Sequence, residues 1–284
     1  MKKHSRLPWW LVKKIPRTQN AFTTREILKS HKLRTVCESA RCPNMWECFS
    51  RKRATFMILG NVCTRNCLFC SVKHGSPEGV DRQEPLRIAD AVKKLELKHV
   101  VITSVTRDDL CDGGAGHFAA VIKQIRENCP DVVIEVLTPD FKGKSGSLDK
   151  ILEVNPDIFN HNLETVSRLH RKIKPQADYL TSLKVLKYVK KCDHTVYTKS
   201  GIMVGLGENF EEVENIFDDL KEHGCDILTV GQYLRPSESN LEVKEYILPE
   251  QFKRFEELAR LKGFKYVQAG PFVRSSYNAD RLVS

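Results

Sequence analysis

From residue 54 onward, short apolar, β-branched runs alternate with amphipathic stretches, and no other pattern in the chain restricts its fold as much. The runs are ATFMILG (54–60), HVVITSV (99–105), VVIEVLT (132–138), IFNHNLE (158–164), YTKSGIMVG (197–205) and DILTVGQY (226–233). Between them a helical pattern recurs over Pro85–Leu95, over His117–Asn128, and near 148–154, 179–191, 209–222 and 249–261. Strands apolar on both faces and separated by helix-length segments predict a parallel sheet with crossover helices. Six such units in about 200 residues predict an α/β chain folded as a partial (β/α)6 TIM-type barrel, with a doubly wound open sheet as the alternative. The expected division is an N-terminal extension over 1–53, the barrel over 54–264 and a C-terminal extension over 265–284. Residues 1–35 lack sustained periodicity and are expected to wrap another part of the protein.

In parallel βα architectures the chemistry sits in loops after the C-terminal strand ends. The loop after the first run, GNVCTRNCLFCSVKHG, holds Cys63, Cys67 and Cys70 as C-x3-C-x2-C. Upstream, TVCESARCPNMWECFS holds Cys37, Cys42 and Cys48 as C-x4-C-x5-C. Whether ten cysteines mean disulfides depends on the compartment. The N-terminal apolar run stops within about six residues at Lys13 and Lys14, too short for a secretory core, and no segment approaches the roughly 20 apolar residues of a membrane span. A cytoplasmic, unanchored chain is expected, and there a thiol cluster binds metal or performs chemistry. Structural zinc takes four protein ligands in paired knuckles, which neither group provides. Three thiolates on a four-iron cube leave one iron open to a ligand from elsewhere. Cys111, Cys129, Cys192 and Cys225 are isolated and read as ordinary thiols.

Polar residues gather at the other strand ends, in TSVTRDD (103–109), NHNLET (160–165), GLGE (205–208) and GQYLRP (231–236). A strand buried on both faces would not ordinarily carry Asn160, His161, Asn162 and Glu164 together, unless they satisfy one another inside a barrel. The basic excess, 46 Lys+Arg against 36 Asp+Glu, fits an ordinary solvated surface or a face that steers an acidic partner. The positive charges are scattered and not interleaved with aromatics, so nucleic acid is not an expected partner.

The C-x3-C-x2-C after a first barrel strand, with Phe69 before its last cysteine, resembles the radical S-adenosylmethionine superfamily. Further segments follow in order: CESARCPNMWEC, CTRNCLFC, VVITSVTRDDLCDGGAGHF, EVLTPDF, NHNLET, TKSGIMVGLGE, GQYLRPS and GPFVRSSY. From about residue 35 to 280 this series resembles the lipoyl synthase family. Departures are Met45 and Trp46 in the upstream spacer, Cys111 in DDLCDGG, and Asn278 where histidine is common; none touches an expected ligand.

The resemblance implies two [4Fe-4S] clusters. One, on Cys63, Cys67 and Cys70, binds and cleaves S-adenosylmethionine to a 5′-deoxyadenosyl radical. The other, on Cys37, Cys42, Cys48 and Ser276 (with Ser275 beside it), is auxiliary and is consumed as sulfur donor. It implies insertion of two sulfurs at carbons six and eight of an octanoyl chain on a carrier lysine, with two S-adenosylmethionines per lipoyl group. The C–H bonds there are unactivated, so acid–base catalysis cannot open them and the cofactors carry the hard step. An alkoxide matches iron less well than a thiolate, which makes Ser276 a labile ligand. Candidate S-adenosylmethionine contacts are Ser104, Asp108, Asn162, Glu164, Gly205 and Glu208. Implied partners are octanoylated lipoyl carrier domains or H protein and an electron donor such as ferredoxin or flavodoxin, with no nucleic acid and no membrane. The rivals are another radical sulfur-inserting enzyme of the biotin synthase or methylthiotransferase kind, and a non-catalytic zinc or iron–sulfur module that binds RNA.

Overall fold

A computed structural model of the chain describes residues 7–16 and 18–279. The first six residues of the N-terminal run and the last five of the C-terminal extension lie outside the described residues. The strands are β1 (Thr55–Ile58), β2 (Val62–Cys63), β3 (Lys73–His74), β4 (His99–Ser104), β5 (Val133–Leu137), β6 (Ile158–Asn160), β7 (Tyr197–Val204), β8 (Ile227–Gln232) and β9 (Tyr266–Gly270). The helices are α1 (Gln19–Ser30), α2 (Val36–Ser39), α3 (Met45–Ser50), α4 (Glu84–Lys94), α5 (Ala115–Asn128), α6 (Ser145–Leu152), α7 (Ser167–Ile173), α8 (Tyr179–Cys192), α9 (Phe210–Glu222) and α10 (Pro249–Leu261).

Seven strands form one sheet in the order β1-β4-β5-β6-β7-β8-β9, every neighbouring pair parallel. Among the described residues no pairing joins β1 to β9, so the curved sheet is a barrel left open on one side. The partial barrel agrees with the sequence expectation. Its seventh strand, β9, does not: only Val267 of its five residues is buried, and such a half-exposed edge carries little apolar signal. The small parallel ribbon of β2 and β3 brackets the thiol loop.

The crossover helices follow from amphipathic stripes. In α9, Asn209 caps the first turn with a reciprocal capping box to Glu212, and Val213, Ile216, Phe217 and Leu220 face the sheet. Fully buried side chains such as Phe56, Phe118, Phe159 and Phe217 each contribute about 1.5–3 kcal/mol by leaving water. Helix α1 escapes the sequence pattern because its buried stripe is Ala21, Thr24 and Leu28, in which a threonine interrupts the apolar row. That threonine donates to the Phe49 carbonyl at 3.0 Å, pinning α1 to α3. The N-terminal extension thus packs on the β1 side of the barrel, where Met57 N donates to Arg34 O at 2.9 Å.

Inside the barrel, Lys199 and Glu135 are both 0% exposed and paired at 2.8 Å. Asn160 donates to the same carboxylate at 3.0 Å. Burial opposes ionisation of Glu135, yet Lys199 and His99 hold its pKa down to about 2. Ile158 and Ile227 pack with Tyr197 and Tyr266 in a separate apolar cluster. Among the described residues no helix is long and apolar enough to cross a membrane.

Candidate active site

A cavity of about 480 Å3 opens at the C-terminal strand ends, and it brings both thiol groups to one place. Cys63 lines it from the end of β2, and Cys67 and Cys70 from the loop that follows; Cys37 and Cys42 line it from the N-terminal extension; Ser275 and Ser276 line it from the tail. A second cavity of about 260 Å3 meets the upstream group from the other side and is lined by Cys37, Cys42, Cys48, Arg274 and Ser276. The tail reaches this position because Gly231 in β8 has no side chain. A Cβ there would lie 2.1 Å from the Val273 carbonyl oxygen.

The donor set fits iron–sulfur ligation. Amide groups point at the sulfurs: Arg65 N and Thr106 N approach Cys63 Sγ at 3.4 and 3.3 Å, and Val72 N approaches Cys70 Sγ at 3.4 Å. Such N–H···S contacts stabilise thiolates on a cluster and tune its potential. Burial pushes the Cys67 thiol up to about 11 and Cys70 up to about 12. Upstream, burial likewise raises Cys37 to about 11 and Cys48 to about 12. Without metal these four thiols are protonated at neutral pH, and loading releases their protons. Among the described residues no three His, Cys, Asp or Glu side chains are grouped to hold a single metal ion.

The thiol loop is held by Arg65, which is 6% exposed. Its guanidinium donates to Asp140 Oδ1 and Oδ2, both at 2.7 Å, and to Asp108 Oδ2 and Oδ1 at 2.7 and 3.0 Å. Thr64 completes the anchor, donating to Thr106 O and accepting from Asp108 N, both at 3.0 Å.

Five polar atoms on cavity-lining residues are buried without a partner: Ser104 Oγ, Thr138 Oγ1, His161 Nε2, Asn162 Oδ1 and Thr229 Oγ1. Each such atom costs about 1–3 kcal/mol unless a ligand satisfies it. His161 Nδ1 faces the Thr138 carbonyl at 2.8 Å and so carries the ring proton. Burial, reinforced by Lys174, lowers the His161 pKa to about 4, which leaves the ring neutral and Nε2 an acceptor. Beside it, Asn162 Nδ2 donates to Glu164 Oε1 at 3.2 Å. Glu164 adopts φ 73°, a left-handed conformation rare for a residue with a side chain. Burial raises its carboxyl pKa against the opposing pull of Lys174. The acceptors and hydroxyls suit a ligand rich in donors, such as the ammonium and ribose hydroxyls of S-adenosylmethionine.

Of the expected cofactor contacts, the structure brings Ser104, Asn162 and Glu164 to the cavity. Asn162 and Glu164 lie beyond β6, which ends at Asn160, and not on the strand as expected. Asp108, Gly205 and Glu208 are not among the residues that line the cavity. Both oxygens of Asp108 are taken by Arg65, and the side chain does not line the cavity. Glu208 folds back on its own turn, accepting from Gly205 N at 2.5 Å and Leu206 N at 2.9 Å. Gly205 admits neighbouring protein: a Cβ there would lie 2.2 Å from Gln232 Nε2 and 2.4 Å from Glu245 O. Thr138, Thr229, Lys174 and Arg274 were not nominated from sequence. Thr229 carried a signal, as a polar residue inside the otherwise apolar run DILTVGQY. Cys225 is fully buried and donates to Ile227 O at 3.3 Å, while Cys111 and Cys192 are exposed away from this cavity.

The chain matches the Radical SAM superfamily over residues 57–220. A lipoyl synthase of Caldanaerobacter subterraneus subsp. tengcongensis is 54% identical over 275 residues, covering 97% of this chain and 96% of that protein. One of Rubrobacter xylanophilus is 52% identical over 277 residues, covering 98% of this chain and 86% of that protein. Among solved structures, Streptococcus suis SuiB bound to S-adenosylmethionine superposes with a TM-score of 0.60 at 13% identity, over 90% of this chain and 58% of its own. HydG, a maturase of the [FeFe]-hydrogenase, superposes with a TM-score of 0.60 at 15% identity, over 88% of this chain and 62% of its own. At such identities these two likenesses concern the fold alone. On the full-length identity above 50% to two curated relatives and the superfamily match around the thiol loop, the chain belongs to the radical SAM superfamily and, within it, to the lipoyl synthase family.

Proposed function

We propose that the two thiol groups hold separate four-iron clusters with separate tasks in a lipoyl synthase reaction, in which two sulfurs enter an octanoyl chain carried on a protein lysine. When bound, the cluster on Cys63, Cys67 and Cys70 supplies the electron that cleaves S-adenosylmethionine, and that on Cys37, Cys42, Cys48 and Ser276 supplies sulfur. The observation that carries this reading is the shared cavity. Cys37, Cys42 and Ser276 line the same space as the radical triad, although the serine lies more than 200 residues downstream of those cysteines.

The chain's own residues bind, orient and exclude water. Ser104, Thr138, His161, Asn162 and Thr229 offer the polar contacts for S-adenosylmethionine, with Glu164 as acceptor for its ammonium. Met57, Val105, Leu137, Ile202 and Met203 supply apolar wall for an alkyl chain and keep water from a carbon radical. Arg65 fixes the radical-site loop to the ends of β4 and β5 through its two aspartates.

The carrier is an octanoylated lipoyl domain or H protein, attracted by the chain's net charge of +10 if its surface is acidic. The electron donor is a ferredoxin or flavodoxin, and the compartment is the cytoplasm. Mass spectrometry of an octanoylated carrier peptide after anaerobic turnover tests the activity: the expected product has gained two sulfurs. Iron analysis of the reconstituted protein tests the clusters, with about eight irons per chain expected for two cubes. Four irons on the radical triad alone, or zinc with no colour, would overturn the two-cluster reading.

A further inference from the structure

Lys13 sits where three distant segments meet. Its ammonium, on a side chain 22% exposed, pairs with the Glu47 carboxylate. It donates to Asn44 Oδ1 at 2.7 Å. The same ammonium lies 5.0 Å from the centroid of the Phe272 ring and 5.3 Å from that of Tyr277, within cation–π range of both. Its two polar partners also hold the tail: Asn44 Nδ2 donates to Phe272 O at 2.6 Å, and the Tyr277 hydroxyl donates to Glu47 Oε1 at 3.0 Å. One cation therefore ties the N-terminal arm to the stretch between Cys42 and Cys48, and both of these to the tail on either side of Ser276.

The arrangement has a physical consequence. Residues 271–279 contain no strand and only short turns, so their backbone has few hydrogen bonds of its own. The tail's place beside the upstream cysteines is set by side-chain contacts. Phe272 and Tyr277 bracket Ser276, and fixing both rings narrows the positions that the serine oxygen samples.

We infer that Lys13 is a positioning residue for Ser276, holding the tail so that the serine oxygen faces the upstream cysteines. The inference rests on the reading above that Ser276 is the fourth ligand of that group. Replacing the ammonium with an isosteric apolar chain takes the lysine from Glu47, which keeps Arg51, and removes the cation–π contact from both rings, while the radical-site loop, anchored by Arg65, is untouched.

The test compares Lys13→Met and Lys13→Arg with the unaltered chain. In the metal-free protein, amide hydrogen exchange over residues 272–279 should quicken about tenfold in Lys13→Met and return toward the original rate in Lys13→Arg. In the reconstituted protein, Lys13→Met should cleave S-adenosylmethionine within about twofold of the original rate yet insert sulfur about tenfold more slowly. Its Mössbauer spectrum should show a changed or missing auxiliary component. Unchanged exchange over the tail, or acceleration spread evenly over the barrel helices, overturns the inference. Failure of the underlying ligand reading shows separately, as an auxiliary spectrum that Ser276→Ala leaves unaltered.

Discussion

The Thr55 hydroxyl donates a 2.9 Å hydrogen bond to Ser276 Oγ, joining residues 221 positions apart. Thr55 also neighbours the Cys37 thiol, opposing part of the rise in its pKa that burial causes. The first barrel strand, the upstream thiols and the tail thus share one contact. The two extensions therefore meet at β1, one edge strand of the open sheet.

Ser276→Ala should reduce sulfur insertion by about 100-fold or more while leaving S-adenosylmethionine cleavage near its original rate. Product mass and 5′-deoxyadenosine, followed in the same reaction, separate the two. Ser276→Cys should also fall below the original rate, because a thiolate holds iron more firmly than an alkoxide. Full dithiolane formation at the normal rate in that variant would sink the idea of a labile ligand.

The two cysteine groups should be separable by substitution. Cys37→Ala is expected to retain reductive cleavage of S-adenosylmethionine and insert no sulfur, whereas Cys63→Ala should lose both. The reverse pattern would exchange the roles assigned to the two groups.

Arg65 is buried between two aspartates, and burial is outweighed by those partners, so its pKa is raised. Arg65→Met would strand the Asp140 carboxylate, which is 3% exposed. Breaking such a pair costs about 3–5 kcal/mol, and thermal melting of the metal-free variant should show the loss. Adding Asp140→Asn should recover part of it. A melting temperature unmoved by Arg65→Met would mean that the pair contributes nothing to holding the loop.

His161 gives the fold a pH dependence of known sign. Burial and the nearby Lys174 lower its pKa from 6.5 to about 4. Between those values the unfolded chain binds a proton that the folded chain refuses. Its contribution to stability is therefore complete above pH 6.5 and is lost as the pH falls toward about 4, at up to about 1.4 kcal/mol per pH unit. Urea midpoints of the metal-free chain across that window should fall more steeply than those of His161→Asn, which keeps a donor toward Thr138. Equal slopes would show that the imidazole is protonated in the fold.

Much of the site was written locally. Spacings such as C-x3-C-x2-C lie within a short stretch of chain, and its place directly after an apolar run assigns it to a strand end. The alternation of β-branched runs with amphipathic stretches likewise indicated a parallel sheet, because burial on both faces imposes that pattern residue by residue. What the local pattern could not carry was partner choice. Asp108, Glu208 and Gly205 have the right composition and the right strand ends, yet Arg65 claims the first, the turn's own amides claim the second, and Gln232 occupies the space beside the third. Thr138, Thr229 and Lys174 read as incidental polar residues until the curvature of the sheet turned them toward one cavity. The chemistry available was legible along the chain, since thiols and strands are specified by short-range pattern. Which groups converge depended on packing across the fold, because the closeness of Ser276 to Thr55 and of Lys13 to Tyr277 joins segments that no local periodicity connects.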